Sequence, residues 1–190
     1  FLYKNLNGTM CISYVPIIVA GPSGVGKSTV IRRVLNAFPE KFGFSVSHTT
    51  REPRPGEENG THYHFVTKDQ MEDLISQGEF IEHAIYNNNY YGTSKQSIKN
   101  LQDQKKIGLL DIDMTGVASI QNSGFPAKFV FIEPPSFEEL RRRLIGRKDT
   151  SEDAIERRIA IAEKELEERK HYKWDFVMVG DTLDQTYDDF

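Results

Sequence analysis

The sequence predicts an α/β protein built on a central parallel sheet, and three observations carry that expectation. Short apolar runs alternate with amphipathic stretches along the 190 residues, the pattern left by strands that crossover helices cover on both faces. A glycine-rich turn follows the first of these runs and leads into the first helix. One stretch, residues 45–93, interrupts the alternation with prolines, glycines and short strand-like pieces, which predicts a small α+β insertion.

The first strand is the run Val15-Pro-Ile-Ile-Val-Ala20. The turn behind it is Gly21-Pro22-Ser23-Gly24-Val25-Gly26-Lys27-Ser28-Thr29, whose first eight residues complete the phosphate-loop pattern G-x-x-x-x-G-K-[ST]. Its glycines let backbone N–H groups turn inward onto a polyphosphate, where a Cβ would crowd the oxygens or forbid the dihedrals. Lys27 is placed to reach the β- and γ-phosphates and the Ser28 hydroxyl to ligate Mg²⁺. The following helix, Thr29 to Ala37, carries Val30, Ile31, Val34 and Leu35 on one stripe. Its N-terminus then points partial positive charge at the same phosphates.

Within the insertion, Phe44 to Thr50 alternates weakly, and Arg51 to Gly60 is excluded from helix by two prolines and two glycines. Thr61 to Val66 alternates like a half-buried strand, Asp69 to Gln77 is a short helix stopped by Gly78, and Phe80 to Tyr91 forms two strands joined at Asn87-Asn88-Asn89. After it come a helix over Lys95 to Asp103, a strand over Ile107 to Ile112 and a helix behind Asp113. A strand over Ala127 to Ile132, helices over Phe137 to Leu144 and Glu152 to about Lys170, a strand over Trp174 to Val179 and a terminal helix complete the chain. Sites in such folds gather at the C-terminal ends of the strands, where Gly21, Ser47 and Asp113 fall.

Composition narrows the partners. With 38 % hydrophobic and 27 % charged residues the chain is ordinary for a soluble domain, and its formal charge of −4 argues against general affinity for nucleic acid or anionic membrane. No apolar run approaches the ~20 residues that span a bilayer. A single cysteine, Cys11, fits a reducing compartment and hence the cytoplasm. The sequons at Asn7 and Asn59 are expected to be turns. The chain opens on Phe1 and stops at Phe190 inside an expected helix, as a trimmed form would, and Met10 is a candidate start.

Several residues carry chemistry beyond the loop. Arg51 and Arg54 stand three apart on a proline-stiffened segment, either a solvated charged turn or a guanidinium fork for phosphate, with Tyr63 and Tyr91 as hydroxyl donors. The phosphate loop upstream favours the fork, because a chain that cradles one nucleotide plausibly holds a second phosphorylated molecule. Asp111 and Asp113 end an apolar strand where a Mg²⁺-steadying acid belongs. They are expected to serve different tasks, and either one is also a candidate cap for the next helix. Arg141, Arg142, Arg143, Arg147, Lys148, Arg157 and Arg158 crowd a junction pivoting at Gly146, with Thr150 and Asp153 spaced as a capping box. Most of them are expected to be solvated, and spacing alone does not choose among them. The five histidines show no metal-ligand spacing apart from His62 and His64, and none is assigned a catalytic role.

Taken together, Gly21-Pro-Ser-Gly-Val-Gly-Lys-Ser28, Phe44-Ser-Val-Ser-His-Thr-Thr-Arg51, Pro53-Arg-Pro-Gly-Glu57, Asn59-Gly60, Tyr63, Phe80-Ile-Glu82, Tyr90-Tyr-Gly92, Leu110-Asp-Ile-Asp113, Pro134-Pro135-Ser136 and Gly146-Arg147 resemble the guanylate kinases over roughly residues 15–187. The resemblance implies a three-layer phosphate-loop kinase fold with a core of residues 14–44, 94–135 and 159–190, a monophosphate-binding insertion at 45–93 and a helical lid at 136–158. It implies transfer of the γ-phosphoryl of Mg·ATP to GMP or dGMP, with a monomer expected and a dimer left open. By the same likeness Arg51, Arg54, Tyr63 and Tyr91 hold the GMP phosphate, and Glu57 orients the arginine loop. Ser47, Glu82, Thr93 and Asp113 read guanine, whose N–H donors suit a carboxylate and whose O6 suits a hydroxyl. Arg143, Arg147 and Arg158 resemble the arginines that contact ATP phosphates, and Asp111 the magnesium-side carboxylate.

Two positions depart from the family pattern. Thr115 stands where Gln is frequent, and Gly180 where an Asn before Asp181 commonly touches adenine, which implies weaker discrimination among triphosphate donors. A non-catalytic scaffold module of guanylate-kinase type is the alternative, opposed by the presence of Lys27, Ser28 and the three arginines.

Overall fold

The computed structural model describes the chain except residues 1, 5–9, 13, 87 and 147–151, and describes no side chains for residues 1–13, 86, 87, 147–151 or 183. An N-terminal antiparallel pair that the sequence pattern did not announce, β1 (Leu2–Lys4) with β2 (Met10–Ile12), comes first. The buried strand β3 (Ile17–Ala20) runs into the phosphate loop, and α1 (Lys27–Ala37) begins as the loop closes at Gly26. Val30, Ile31 and Val34 are the buried stripe of α1. The expected strand over Phe44 to Thr50 is two strands in two sheets, β4 (Phe42–Phe44) and β5 (His48–Thr49).

Strand β6 (His64–Phe65) precedes α2 (Lys68–Ser76), which starts on a reciprocal capping box of Thr67 and Gln70 and stops before Gly78 at φ +70°. Strands β7 (Phe80–Tyr86) and β8 (Asn89–Ser94) lead to α3 (Lys95–Asp103), capped by Ser94. Then follow β9 (Ile107–Asp111), α4 (Met114–Ser123), β10 (Lys128–Glu133) and α5 (Phe137–Ile145). Ser136 caps α5, with Glu138 and Glu139 in its first turn and Arg142 and Arg143 in its last, as the helix dipole favours. The long α6 (Glu152–Glu168) tightens into a 3₁₀ turn over Arg169–His171, and β11 (Phe176–Val179) and α7 (Leu183–Asp189) end the chain.

The chain forms two compact units. The first comprises Phe1–Ile17, Glu40–Leu110 and Ala118–Ala127, the second Ile18–Pro39, Asp111–Val117 and Lys128–Phe190. In the first, β5 lies between β6, to which it is parallel, and β8, to which it and β7 are antiparallel. There too β4 pairs in parallel with β9, and Ser45 continues the contact through its N–H to the Leu109 carbonyl at 2.9 Å. In the second, β10 pairs in parallel with β11. The parallel pairings within each unit, β4 with β9 and β10 with β11, are those of the expected α/β class. Strand β11 is barely covered, since Phe176, Val177 and Val179 stay exposed and only Met178 turns inward.

The second unit's core positions the phosphate loop. Ile18, Val19, Ala20, Phe131 and Ile132 are fully buried, and Leu140, Leu144, Ile155 and Ala162 join α5 to α6, with Ile159 packed alongside. Gly21 lies so close to β10 that a Cβ there would overlap the Ile132 carbonyl oxygen, and its φ of +139° is one that side chains rarely adopt. Gly21→Ala is therefore expected to cost roughly 3 kcal/mol or more. Urea unfolding of this variant checks the expectation, and a loss below about 1 kcal/mol would show that the strand pair relaxes around the methyl group.

Candidate active site

The second unit holds the phosphate loop and what surrounds it. Gly21, Gly24 and Gly26 all take positive φ, and the loop tightens on a Val25 N–H bond to the Pro22 carbonyl at 3.2 Å. A Cβ on Gly24 would meet Leu144 at 2.9 Å and Leu140 at 3.3 Å, so α5 packs directly on the loop. Ser28 and Thr29, at the start of α1, face solvent. The Lys27 ammonium donates to the Gly21 carbonyl at 2.5 Å and the Pro22 carbonyl at 3.3 Å, and stands 3.8 Å from the Asp111 carboxylate. It is the cation that a polyphosphate would draw off these carbonyls.

The two aspartates divide between two tasks because β9 ends at Asp111 and Asp113 lies beyond it, at the start of α4. Asp113 caps α4, accepting the Gly116 N–H at 2.8 Å. Asp111 faces Lys27. Burial pushes its carboxyl above the ordinary range although a third of the side chain stays exposed; the Lys27 charge works in the opposite direction and Asp113 adds to the rise. Oxygen donors of this kind, Ser28 and Asp111, fit Mg²⁺, which keeps several waters and takes one or two protein carboxylates beside nucleotide phosphates. Consistently, among the described residues no three His, Cys, Asp or Glu side chains converge to hold a metal by themselves.

Arg143 lies against the loop from α5. Its guanidinium donates to Val25 at 3.3 Å and Gly180 at 2.8 Å, both carbonyls, and to the Asp181 carbonyl, while Nε donates to Glu139 at 2.7 Å. Glu139, pinned by Arg142 and Arg143, is held down to about 2. Sequence reasoning missed Glu139, although its four-residue spacing from Arg143 on a helix is the signal for such a pair. Gly180 admits no side chain cheaply, since a Cβ would stand 3.1 Å from both Ile132 Cγ2 and the Val25 carbonyl oxygen. Arg158 is half-buried on α6. Arg147 and Thr150 lie outside the described residues.

The first unit holds a second, differently built set. Arg51 and Glu57 form a two-pronged ion pair at 2.9 and 3.0 Å, and Glu57 also accepts the Arg54 N–H at 2.7 Å. The guanidinium sits over Tyr63 at 5.4 Å and Phe65 at 5.7 Å. Tyr91 also bonds to Arg51 and meets Tyr63 edge-on at 6.0 Å between centroids. Arg54 itself is exposed. Phe65 is a supporting residue the sequence reading passed over, visible there only as an aromatic two positions beyond Tyr63 on one strand. Ser47 and Thr93 place their hydroxyls 3.5 Å apart, and Glu82, 7 % exposed, lies opposite Thr93 in the β7–β8 register. The structure thus brings Ser47, Glu82 and Thr93 to one patch, and Arg51, Arg54, Glu57, Tyr63 and Tyr91 to another. Half-buried beside the first patch, His48 is pushed down to about 4, first by desolvation and then by His64, whose ring is 4.7 Å away.

A glycine-lined turn between a buried strand and a helix, carrying Lys27 and Ser28 and faced by a strand-end aspartate, defines a phosphate-loop nucleotide-binding protein. The family model for guanylate kinase matches residues 13–190, and the chain belongs to that family. It is 42 % identical to the guanylate kinase of Sus scrofa over 90 % of this chain and 87 % of that one. Against the guanylate kinase of Schizosaccharomyces pombe the identity is 44 %, covering 90 % of this chain and 86 % of its relative. Among solved structures, that of guanylate kinase from Anaplasma phagocytophilum superposes with a TM-score of 0.67 at 30 % identity, over 92 % of this chain and 81 % of that one.

The arginine loop generates a pH prediction. The Arg51 hydrogen bonds, followed by the Arg54 N–H, hold the Glu57 carboxyl down from 4.5 to about 2. Its contribution to stability is therefore complete above about pH 4.5 and is lost as pH falls through about 2. A carboxyl carbon titration by NMR should show Glu57 still ionised near pH 3 in the wild type, and a midpoint moved toward 4.5 in Arg51→Met. A wild-type midpoint at 4.5 would mean the pair does not persist in solution.

Proposed function

We propose that the chain transfers the γ-phosphoryl group of Mg·ATP to GMP or dGMP, giving ADP and GDP or dGDP. What carries the reading is that one chain of the guanylate kinase family holds two anion-binding sets of different construction. One is made of main-chain amides and Lys27, the other of the Arg51 guanidinium braced by Glu57. On this reading residues 21–29 seat the triphosphate, and Arg143, Arg147 and Arg158 meet the charge that develops on the transferred group. Arg51, Arg54, Tyr63 and Tyr91 grip the acceptor phosphate, while Ser47, Glu82, Thr93 and Asp113 read guanine. Residues 45–93 serve as the acceptor-binding part and 136–158 as a lid that excludes water on closing.

Mg²⁺, held through Ser28 and Asp111, would neutralise and orient the triphosphate. A general base is unnecessary, because the attacking oxygen belongs to a phosphate whose second pKa is about 6. An oxygen of that phosphate bonds to the γ-phosphorus as the bond to the ADP oxygen breaks. The acceptor and donor are small anions, in keeping with a chain of formal charge −4 and not with nucleic acid or membrane partners. Among the described residues no helix is long and apolar enough to cross a membrane. A monomer in the cytoplasm is the working expectation.

A coupled assay of ADP release should rank GMP and dGMP far above AMP, UMP and CMP, with AMP poorer by roughly ten-thousand-fold, because the guanine-reading groups would be left unpaired. Comparable turnover of AMP would overturn the acceptor assignment. Run with varied donors, the same assay should show modest preference for ATP, since Gly180 offers the base no side chain.

Two substitutions separate the halves. Lys27→Ala is expected to abolish turnover while GMP binding stays measurable by calorimetry, and Glu82→Gln to damage GMP use far more than ATP binding. Near-normal turnover of the first, or equal losses for both ligands in the second, would refute the assigned roles.

A further inference from the structure

Arg143 ties together two segments of the second unit that lie far apart in sequence. Its Nη1 donates to the carbonyls of Val25, in the phosphate loop, and Gly180, in the turn between β11 and α7, and its Nη2 to the Asp181 carbonyl of the same turn. Val25 and Gly180 are buried, and two carbonyl dipoles converging on one nitrogen repel each other unless a cationic donor lies between them. What aims the guanidinium is Glu139. Its carboxylate accepts the Nε–H at 2.7 Å from one turn earlier on α5, and its own N–H is fixed by the Ser136 hydroxyl at 3.1 Å. Leu140 and Leu144, each the next residue along, abut Gly24, so the edge of α5 that carries Glu139 and Arg143 runs beside the loop. Glu139 also pairs with Arg142, but that side chain is 75 % exposed against 22 % for Arg143 and donates to no loop carbonyl among the described residues.

We propose that Glu139 is a positioning residue for donor-nucleotide binding: it holds Arg143 as a strut that sets the phosphate loop against the turn at Gly180 and Asp181. An arginine has five N–H donors. One goes to Glu139 and three go to the carbonyls, which leaves one on Nη2 uncommitted among the described residues. Without Glu139 the guanidinium is free to turn about its stem, the two carbonyls lose their shared donor for part of the time, and the loop must be ordered as the nucleotide binds. The inference rests on the proposed reading that residues 21–29 seat the donor triphosphate.

Its test is a double-mutant cycle on the full chain, read as ADP affinity by calorimetry in the presence of Mg²⁺. Glu139→Ala should weaken ADP binding about tenfold, and Arg143→Met at least as much. If Glu139 acts through Arg143, the double variant should bind ADP no worse than Arg143→Met alone. Glu139→Gln, which keeps an acceptor at the same reach, should recover most of the loss, and Arg142→Ala should bind ADP like the wild type. GMP affinity, which reports on the other unit, should stay within about twofold of wild type in every variant. Losses that multiply in the double variant, a loss in Arg142→Ala equal to that in Glu139→Ala, or equal weakening of ADP and GMP would each reveal a merely structural role and overturn the proposal. So would wild-type ADP affinity in Glu139→Ala. If the wild type showed the ADP cycle but bound no GMP, the kinase reading would fall and the role of Glu139 would stand.

Discussion

The phosphate loop is held open by its neighbours before any nucleotide arrives, and the rest of the second unit is arranged around that constraint. Gly21 is pressed against the Ile132 carbonyl of β10, Gly24 against Leu140 and Leu144 of α5, and Val25 against Gly180. Each approach is too close for a side chain on the glycine, so the loop backbone is defined on three sides by buried packing. Arg143 closes the fourth side through the Val25, Gly180 and Asp181 carbonyls. A loop fixed in this way spends little conformational entropy when phosphate oxygens replace the Gly21 and Pro22 carbonyls as partners of Lys27.

The first unit meets the same problem with side chains. An arginine free to swing would lose rotamer entropy on gripping a phosphate. Arg51 has already lost most of it, clamped by both oxygens of Glu57 and lying across Tyr63 and Phe65. Glu57 in turn is fixed by the Arg54 N–H, so the proline-stiffened segment and the guanidinium order one another. The Ser47, Glu82 and Thr93 patch is organised by strand register instead, and burial makes the Glu82 carboxylate costly unless a donor meets it.

How much of this the sequence disclosed depends on the range over which the signal acts. The loop, Lys27 and the helix behind it are contiguous, and their pattern names them. The helices over Lys95 to Asp103 and Phe137 to Ile145 announce themselves through Ser94 and Ser136 caps and helical periodicity. Phe44 to Thr50 misleads as a single strand because alternation persists while the chain passes from one sheet to another at Ser45, a step set by the distant Leu109 carbonyl. The choice between Asp111 and Asp113 as helix cap needs the Gly116 N–H. Glu165 is indistinguishable by type and spacing from the solvated acids around it, and only the structure shows that its Oε2 is buried.

An acidic chain of formal charge −4 that binds polyanions cannot rely on a broad positive field. Here several arginines are matched by their own carboxylates: Arg51 by Glu57, Arg143 by Glu139, Arg141 by Glu152 and Glu156, Arg169 by Glu133. Such pairing cancels most of the long-range attraction and leaves short-range geometry to decide what binds. On the proposed reading affinity then comes from main-chain amides, one lysine and guanidinium groups already aimed, a short-range set that suits a small polyanion better than an extended phosphate backbone.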